Sequence, residues 1–255
     1  MPNNAVSANT LFHFTNSIDN LINILSKEFC PHYCLENYRV LDLKMDNCTE
    51  IAIPMVSFCD LPLSNIKNHL TFYGNYGIGL SKKWGIKYRI SPVIYTHKVS
   101  TLNSSIRDLI GFAYRHSNEN KSTEKNDKAS HYLYSYTKPY QGRMWRDGHY
   151  TNDIRFYDER EWRFVPDVDR IDLPRILSKK EYLNKQFRME ANKDLAENFV
   201  LCFTPIDIKY IIVRNEDDIL PMIHSIEDIK SKYDREIVKL LTTRIITVDH
   251  IAEDF

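Results

Sequence analysis

The sequence predicts an α+β fold, and three observations carry that expectation. Short runs with strand character recur along the chain, at residues 11–15 (LFHFT), 51–58 (IAIPMVSF) and 207–213. Runs with helical spacing lie among them, as at residues 16–26, where Ile18, Leu21, Ile22 and Leu25 recur at intervals of three and four. The two kinds are mixed without a regular strand–helix–strand alternation, which separates α+β from a doubly wound parallel sheet. With 255 residues, of which 43% are hydrophobic, the chain has the material for a sizeable core.

In chain order, residues 1–10 are polar and expected to be disordered, and 11–255 are expected to form one domain. A first strand, 11–15, feeds a helix capped by Asn16 or Ser17. Residues 30–50 read as irregular. A buried strand at 51–58 follows, then a helix opened by Pro62, then the aromatic and glycine-rich run FYGNYGIGL at 72–80. Residues 92–95 read as a strand and 101–115 as a helix carrying Leu102, Ile106, Leu109, Ile110 and Phe112. The segment 117–130 (SNENKSTEKNDKAS) has no apolar anchor and is expected to be a mobile polar loop. A strand over 155–165, helices near 178–187, 193–198 and 217–233, and a last strand at 245–248 complete the reading.

Composition narrows the function classes. Lys and Arg number 34, as do Asp and Glu, so the chain has no global basic excess to drive non-specific nucleic-acid binding. Five cysteines, an odd number at irregular spacing, read as reduced thiols of a cytoplasmic protein. The first ten residues lack the pattern of a signal peptide, and no apolar run approaches the roughly 20 residues that span a bilayer, so no membrane is expected. Cys30, His32, Cys34 and Cys48 are potential metal ligands, but their spacing matches no standard zinc pattern and no metal is expected.

Three constellations can carry chemistry. His13 lies between two Phe residues, either as a core histidine with one satisfied hydrogen bond or as a ligand-facing group. Tyr73 and Tyr76 stand among Gly74, Gly77 and Gly79, either a packed turn or an aromatic wall whose glycines clear space for a planar ring. Glu159 and Glu161 are two residues apart, so a strand would put them on one face. That arrangement serves either paired acid–base work or ordinary ion pairs with neighbouring arginines. A basic and aromatic stretch, Lys138, Tyr140, Arg143, Trp145 and Arg146, is the place to look for a nucleic-acid or protein acceptor.

The runs LFHFT, VSFCDLPL, YGNYGIGLSKKWG, SPVIYTH, KPYQG and FYDEREWRFVP, spread over residues 11–166, resemble the AbiGi family of abortive-infection phage-resistance proteins. The order of His13, Ser57, the Tyr/Gly run and Glu-x-Glu is also similar to the His–Tyr–Glu class of ADP-ribosyltransferases. That second resemblance implies a split mixed β-sheet core flanked by helices, with NAD as substrate. It implies that His13 hydrogen-bonds the ribose, that Tyr76 or Tyr73 stacks on nicotinamide, and that Thr15 and Ser57 support the nucleotide. Glu161 would stabilise the oxocarbenium-like transition state and Glu159 would help activate the acceptor. Ser57-Phe58-Cys59 stands where many relatives of that class carry Ser-Thr-Ser. The AbiGi resemblance implies a role in phage defence. It also implies an alternative to catalysis, because members of that family are described as the antitoxin half of a pair that binds a partner toxin.

Overall fold

The computed structural model describes residues 8–39, 42, 49–116, 121–146 and 148–254. The expected disorder at residues 1–7 therefore lies outside the described residues. In chain order the elements are β1 (Thr10–Thr15), α1 (Ile18–Lys27), β2 (His32–Asn37), β3 (Glu50–Cys59), α2 (Lys67–Tyr73), β4 (Tyr76–Ser81), α3 (Lys82–Lys87), β5 (Ser91–Pro92), β6 (Ile94–Thr96), α4 (Thr101–His116) and α5 (Lys121–Ser135). They continue with β7 (Thr137–Pro139), β8 (Gly142–Arg146), β9 (His149–Ile154), β10 (Glu161–Phe164), β11 (Leu177–Ser178), α6 (Lys179–Leu183), α7 (Lys185–Asn198), β12 (Ile208–Val213), α8 (Ile219–Ile229), α9 (Arg235–Thr242), β13 (Ile245–Thr247) and α10 (Val248–Asp254). The fold is a mixture of helices and sheet, with parallel and antiparallel strand pairs. Contacts divide it into two compact units, the first made of residues 1–30, 57–91 and 200–255, the second of 31–56 and 92–199.

Unit 1 is built on a mixed sheet. β4 pairs antiparallel with β1 on one side and with β12 on the other, and β12 pairs parallel with β13. The alternation of β1 explains LFHFT. Phe12 and Phe14 face one way, into a cluster with Ile66, Leu70, Ile212 and Ile251, while His13 points to the other face. Opposite those rings stand Gly79 and Gly77. A Cβ at Gly77 would sit 2.6 Å from the Phe14 ring, and one at Gly79 would sit 2.7 Å from Phe12. These two glycines make room for core phenylalanines, which is the packed reading of that run rather than the ligand-clearing one.

Gly74 has a different cause. It caps α2 at φ 105°, ψ 170°, a region only glycine occupies readily, and a Cβ there would meet the Thr15 carbonyl oxygen at 2.3 Å. Gly74→Ala is expected to lower unfolding stability by about 2–4 kcal/mol, read as a shift of the urea midpoint with unchanged slope. A loss within experimental error would remove this account of the turn.

Unit 2 holds β2 antiparallel to β3, with β11 also pairing β3. The parallel pair β6–β7 and the hairpin β8–β9 stand beside them in the chain. One core cluster joins Tyr38, Ile51, Ile53 and Met55 to Ile106, Ile110 and Tyr134 from α4 and α5. A second joins Tyr33, Ala52 and Leu177 to Ala191 and Leu195 of α7.

Three local expectations change. Residues 32–37, read as irregular, form β2, because Tyr33 packs into the second cluster and the ladder to β3 runs unbroken from His32 to Asn37. Of residues 117–130, expected as a loop, 117–120 lie outside the described residues and 121–130 are helical within α5. The apolar anchors of that helix sit at its other end, where Tyr134 is buried against α4, and Lys128 reaches Asp167 at 2.6 Å. The run 155–165 is not one strand. Phe156–Glu159 is a 3-10 turn and Arg160 is left-handed at φ 45°, so only Glu161–Phe164 is extended.

Candidate functional site: a buried ion network and a polar cavity

The last of those changes shapes the site. Glu159 and Glu161 do not share a strand face, yet the turn and the left-handed Arg160 bring both carboxylates to one cation. Lys138 on β7 donates to Glu159 Oε2 at 2.7 Å and to Glu161 Oε2 at 2.6 Å. Arg163 enters from the other side. Its Nε donates to Glu161 Oε1 at 2.6 Å, one terminal nitrogen to the Ser135 carbonyl at 2.7 Å, and the other to Glu36 Oε1 at 3.0 Å. The Glu161 backbone N–H donates to the Tyr95 hydroxyl at 2.8 Å. The Lys138 ammonium also lies 4.8 Å from the centre of the Phe156 ring.

The network holds three carboxylates and two cations, almost entirely out of water. Arg163 is 0% exposed and Glu161 5%. Burial by itself would raise the Glu161 pKa, but Arg163 and Lys138 together hold that carboxyl well below the usual carboxylate range. The reverse applies at Arg163, where burial disfavours the charge and Glu161 and Glu36 restore it with a margin. Burial pushes the neighbouring Cys34 thiol up to about 12. The arrangement is that of a charge clamp: Glu161 is a carboxylate with both oxygens engaged, and it ties β10 to β7 and, through Arg163, to β2.

The other expected site residues belong to unit 1. His13 Nδ1 donates to the Ser57 carbonyl at 2.8 Å, which fixes the ring tautomer. The edges of Phe29 and Phe58 close on the ring, with centroids 5.2 and 5.8 Å away. Thr15 Oγ1 accepts from Asn20 Nδ2 at 3.0 Å. Tyr73 stacks on His69 with centroids 4.3 Å apart. Tyr76 is buried, donates its hydroxyl to Asp218 at 3.0 Å, and lines a cavity of about 640 Å³. The structure thus joins His13 to Ser57, and Glu159 to Glu161. Tyr73 and Tyr76 have separate surroundings.

The basic and aromatic stretch is divided. Lys138, expected at an acceptor surface, is buried between the two glutamates because two carboxylates and an aromatic face compensate its desolvation. On the β8–β9 hairpin the Arg143 guanidinium lies 4.1 Å from the Tyr150 ring centre, and Trp145 packs edge-on to the same ring. Lys179 donates to the Tyr150 hydroxyl at 2.8 Å and to Glu50 at 2.9 Å. Sequence reasoning missed Lys138 as the centre of the network, and Glu36 and Tyr95 altogether. One signal was present: in EWRF the charges at 161 and 163 alternate with aromatics, the pattern of a strand with a charged inner face.

Among the described residues no group of three or more His, Cys, Asp or Glu is placed to hold a metal ion, and Cys48 lies outside them. No helix among them is long and apolar enough to cross a membrane.

A family model described as "Putative abortive phage resistance protein AbiGi, antitoxin" matches residues 27–214. That span contains the whole ion network and leaves out His13 and Thr15. The "Abortive phage resistance protein AbiGi" of Lactococcus lactis subsp. cremoris is 32% identical over 251 residues, which cover 89% of this chain and 99% of that protein. No solved structure matches the chain.

Proposed function

The chain belongs to the AbiGi family of abortive phage resistance proteins, and from that premise we propose that it acts in phage defence as an antitoxin, by binding a partner toxin protein. One observation carries the choice of binding over catalysis. Glu161, the residue that transferase chemistry would use as its charge-stabilising carboxylate, has Lys138 and Arg163 on its two oxygens at 2.6 Å each. A carboxylate with a cation hydrogen-bonded on each oxygen is poorly placed to meet a developing oxocarbenium ion. The same geometry suits a scaffold, where a buried network holds strands in one arrangement and the outer surface meets the partner.

A second reading keeps the transferase chemistry, with NAD cleaved at the nicotinamide–ribose bond and a protein or nucleic-acid acceptor modified. It is favoured by the His13 ring, whose Nδ1 donates to the Ser57 carbonyl and so places two of the expected nucleotide-contacting residues side by side. In this reading Glu161 exchanges one of its cations for substrate.

Two measurements on the purified chain separate the readings. Incubation with NAD is expected to release no nicotinamide above the buffer rate, and size-exclusion chromatography with the cognate toxin is expected to give a stable complex. Nicotinamide release that disappears in a folded His13→Ala variant would replace the antitoxin reading with the enzymatic one. Absence of both turnover and complex would refute both.

A further inference from the structure

Of the residues the transferase reading names, the 640 Å³ cavity of unit 1 is lined by Tyr76 and by none of His13, Ser57, Glu159 and Glu161. It opens where β1 ends and β4 begins, against α2 and α10, and its size falls in the range of small-molecule sites. Its polar groups converge from separate parts of the chain. Lys67 on α2 donates to the Ala252 carbonyl at 2.8 Å, which fixes the ammonium at the cavity wall with two further N–H donors. Arg214, just after β12, lines the same space and is 57% exposed at its side chain. Asn16 accepts from Asn20 on its side-chain oxygen at 3.2 Å, which leaves its amide nitrogen as a donor. No carboxylate is among the lining residues. Asp218 stands behind them, taking the Tyr76 hydroxyl at 3.0 Å and lying 3.9 Å from Arg214 Nε, and it offsets part of one of the two positive charges. Val248 of α10, half-buried and backed by the fully buried Ile251, supplies an apolar wall.

Two cations and an amide donor among the lining residues, with no lining acid, call for an anion rich in acceptor oxygens. An apolar wall in a cavity of this volume calls for a flat or apolar body attached to that anion. We propose that this cavity binds a nucleoside monophosphate, or a phosphate ester of that size. Lys67, Arg214 and Asn16 would hold the phosphate, and the base would lie against Val248.

Calorimetric titration of the whole chain with AMP, and separately with inorganic phosphate, tests this. AMP is expected to bind, with phosphate about tenfold weaker or more because it lacks the apolar contact. Lys67→Gln and Arg214→Gln are each expected to weaken AMP by about tenfold. Ala252→Phe at the exposed cavity rim fills space without changing charge and is expected to abolish binding. All three positions are exposed, so thermal midpoints should be unchanged and a folding defect would not be mistaken for lost binding. No AMP heat at millimolar concentration, equal affinity for AMP and phosphate, or variants that bind like the parent would each overturn the proposal. NAD turnover and toxin binding are read separately, so this result stands or falls apart from the proposed function.

Discussion

Arg163→Met is expected to destabilise the chain by about 3–5 kcal/mol, enough to unfold much of a marginally stable protein. The loss does not come from surrendering a favourable pair. It comes from removing, at a side chain that is 0% exposed, the guanidinium from which Glu161 Oε1 and Glu36 Oε1 both accept, which leaves the buried Glu161 undercompensated. A double-mutant cycle with Glu161→Leu makes the claim specific. The double variant should be more stable than the sum of the single effects predicts, by about 1–3 kcal/mol, because removing both partners leaves no orphaned charge between them. Additive losses in urea denaturation would show that the two side chains do not act as one unit. The pH dependence has a definite sign. Glu161 is depressed in the folded state, so its contribution is complete above the ordinary carboxyl range near pH 4.3. It is lost only as pH falls through the lower folded value.

His131→Leu is expected to stabilise the chain in mild acid. The imidazole is buried on α5, and neither ring nitrogen has a hydrogen-bond partner among the described residues. Burial first, and then the Arg175 charge, lower its pKa from 6.5 to about 4. Lys128 adds to that, while Asp169 and Asp167 oppose it. A histidine that resists protonation when folded but accepts it when unfolded leaves stability untouched above pH 6.5. It erodes stability progressively between pH 6.5 and 4, by up to about 3 kcal/mol. Leucine removes that proton uptake and introduces no polar group to bury. The parent should therefore lose thermal midpoint from pH 7 to 4.5 while the variant stays flatter and gains most at the acid end. Parallel pH profiles for the two proteins would mean that His131 is solvated or paired in solution. This window lies above the one governed by Glu161, so the two contributions can be read from one titration of stability.

Much of the secondary structure was legible because it rests on local patterns. LFHFT alternates and is β1, and Ser17 caps α1, accepting from the Asn20 N–H at 3.2 Å. IAIPMVSF is apolar but for Ser57 and lies in β3. The family was legible too, from runs of residues scattered over the first two thirds of the chain. What failed was everything set by partners distant in sequence. α5 reads as a polar loop until Tyr134 is seen packed with Ile106 and Ile110. β2 reads as irregular until its ladder to β3 is drawn.

The candidate site divides in the same way. The residue types at 159, 161 and 163 announce a charged strand end, and the sequence alone determines that three acids and several bases exist to be paired. Only the tertiary structure decided which of them meet. Arg160 takes a left-handed conformation that turns Glu159 toward Lys138, some twenty residues earlier, and Arg163 spans to Glu36 more than a hundred residues away. Pairing of buried charges is a long-range electrostatic choice, made when strands are brought together and water is expelled, and no period in the sequence encodes it.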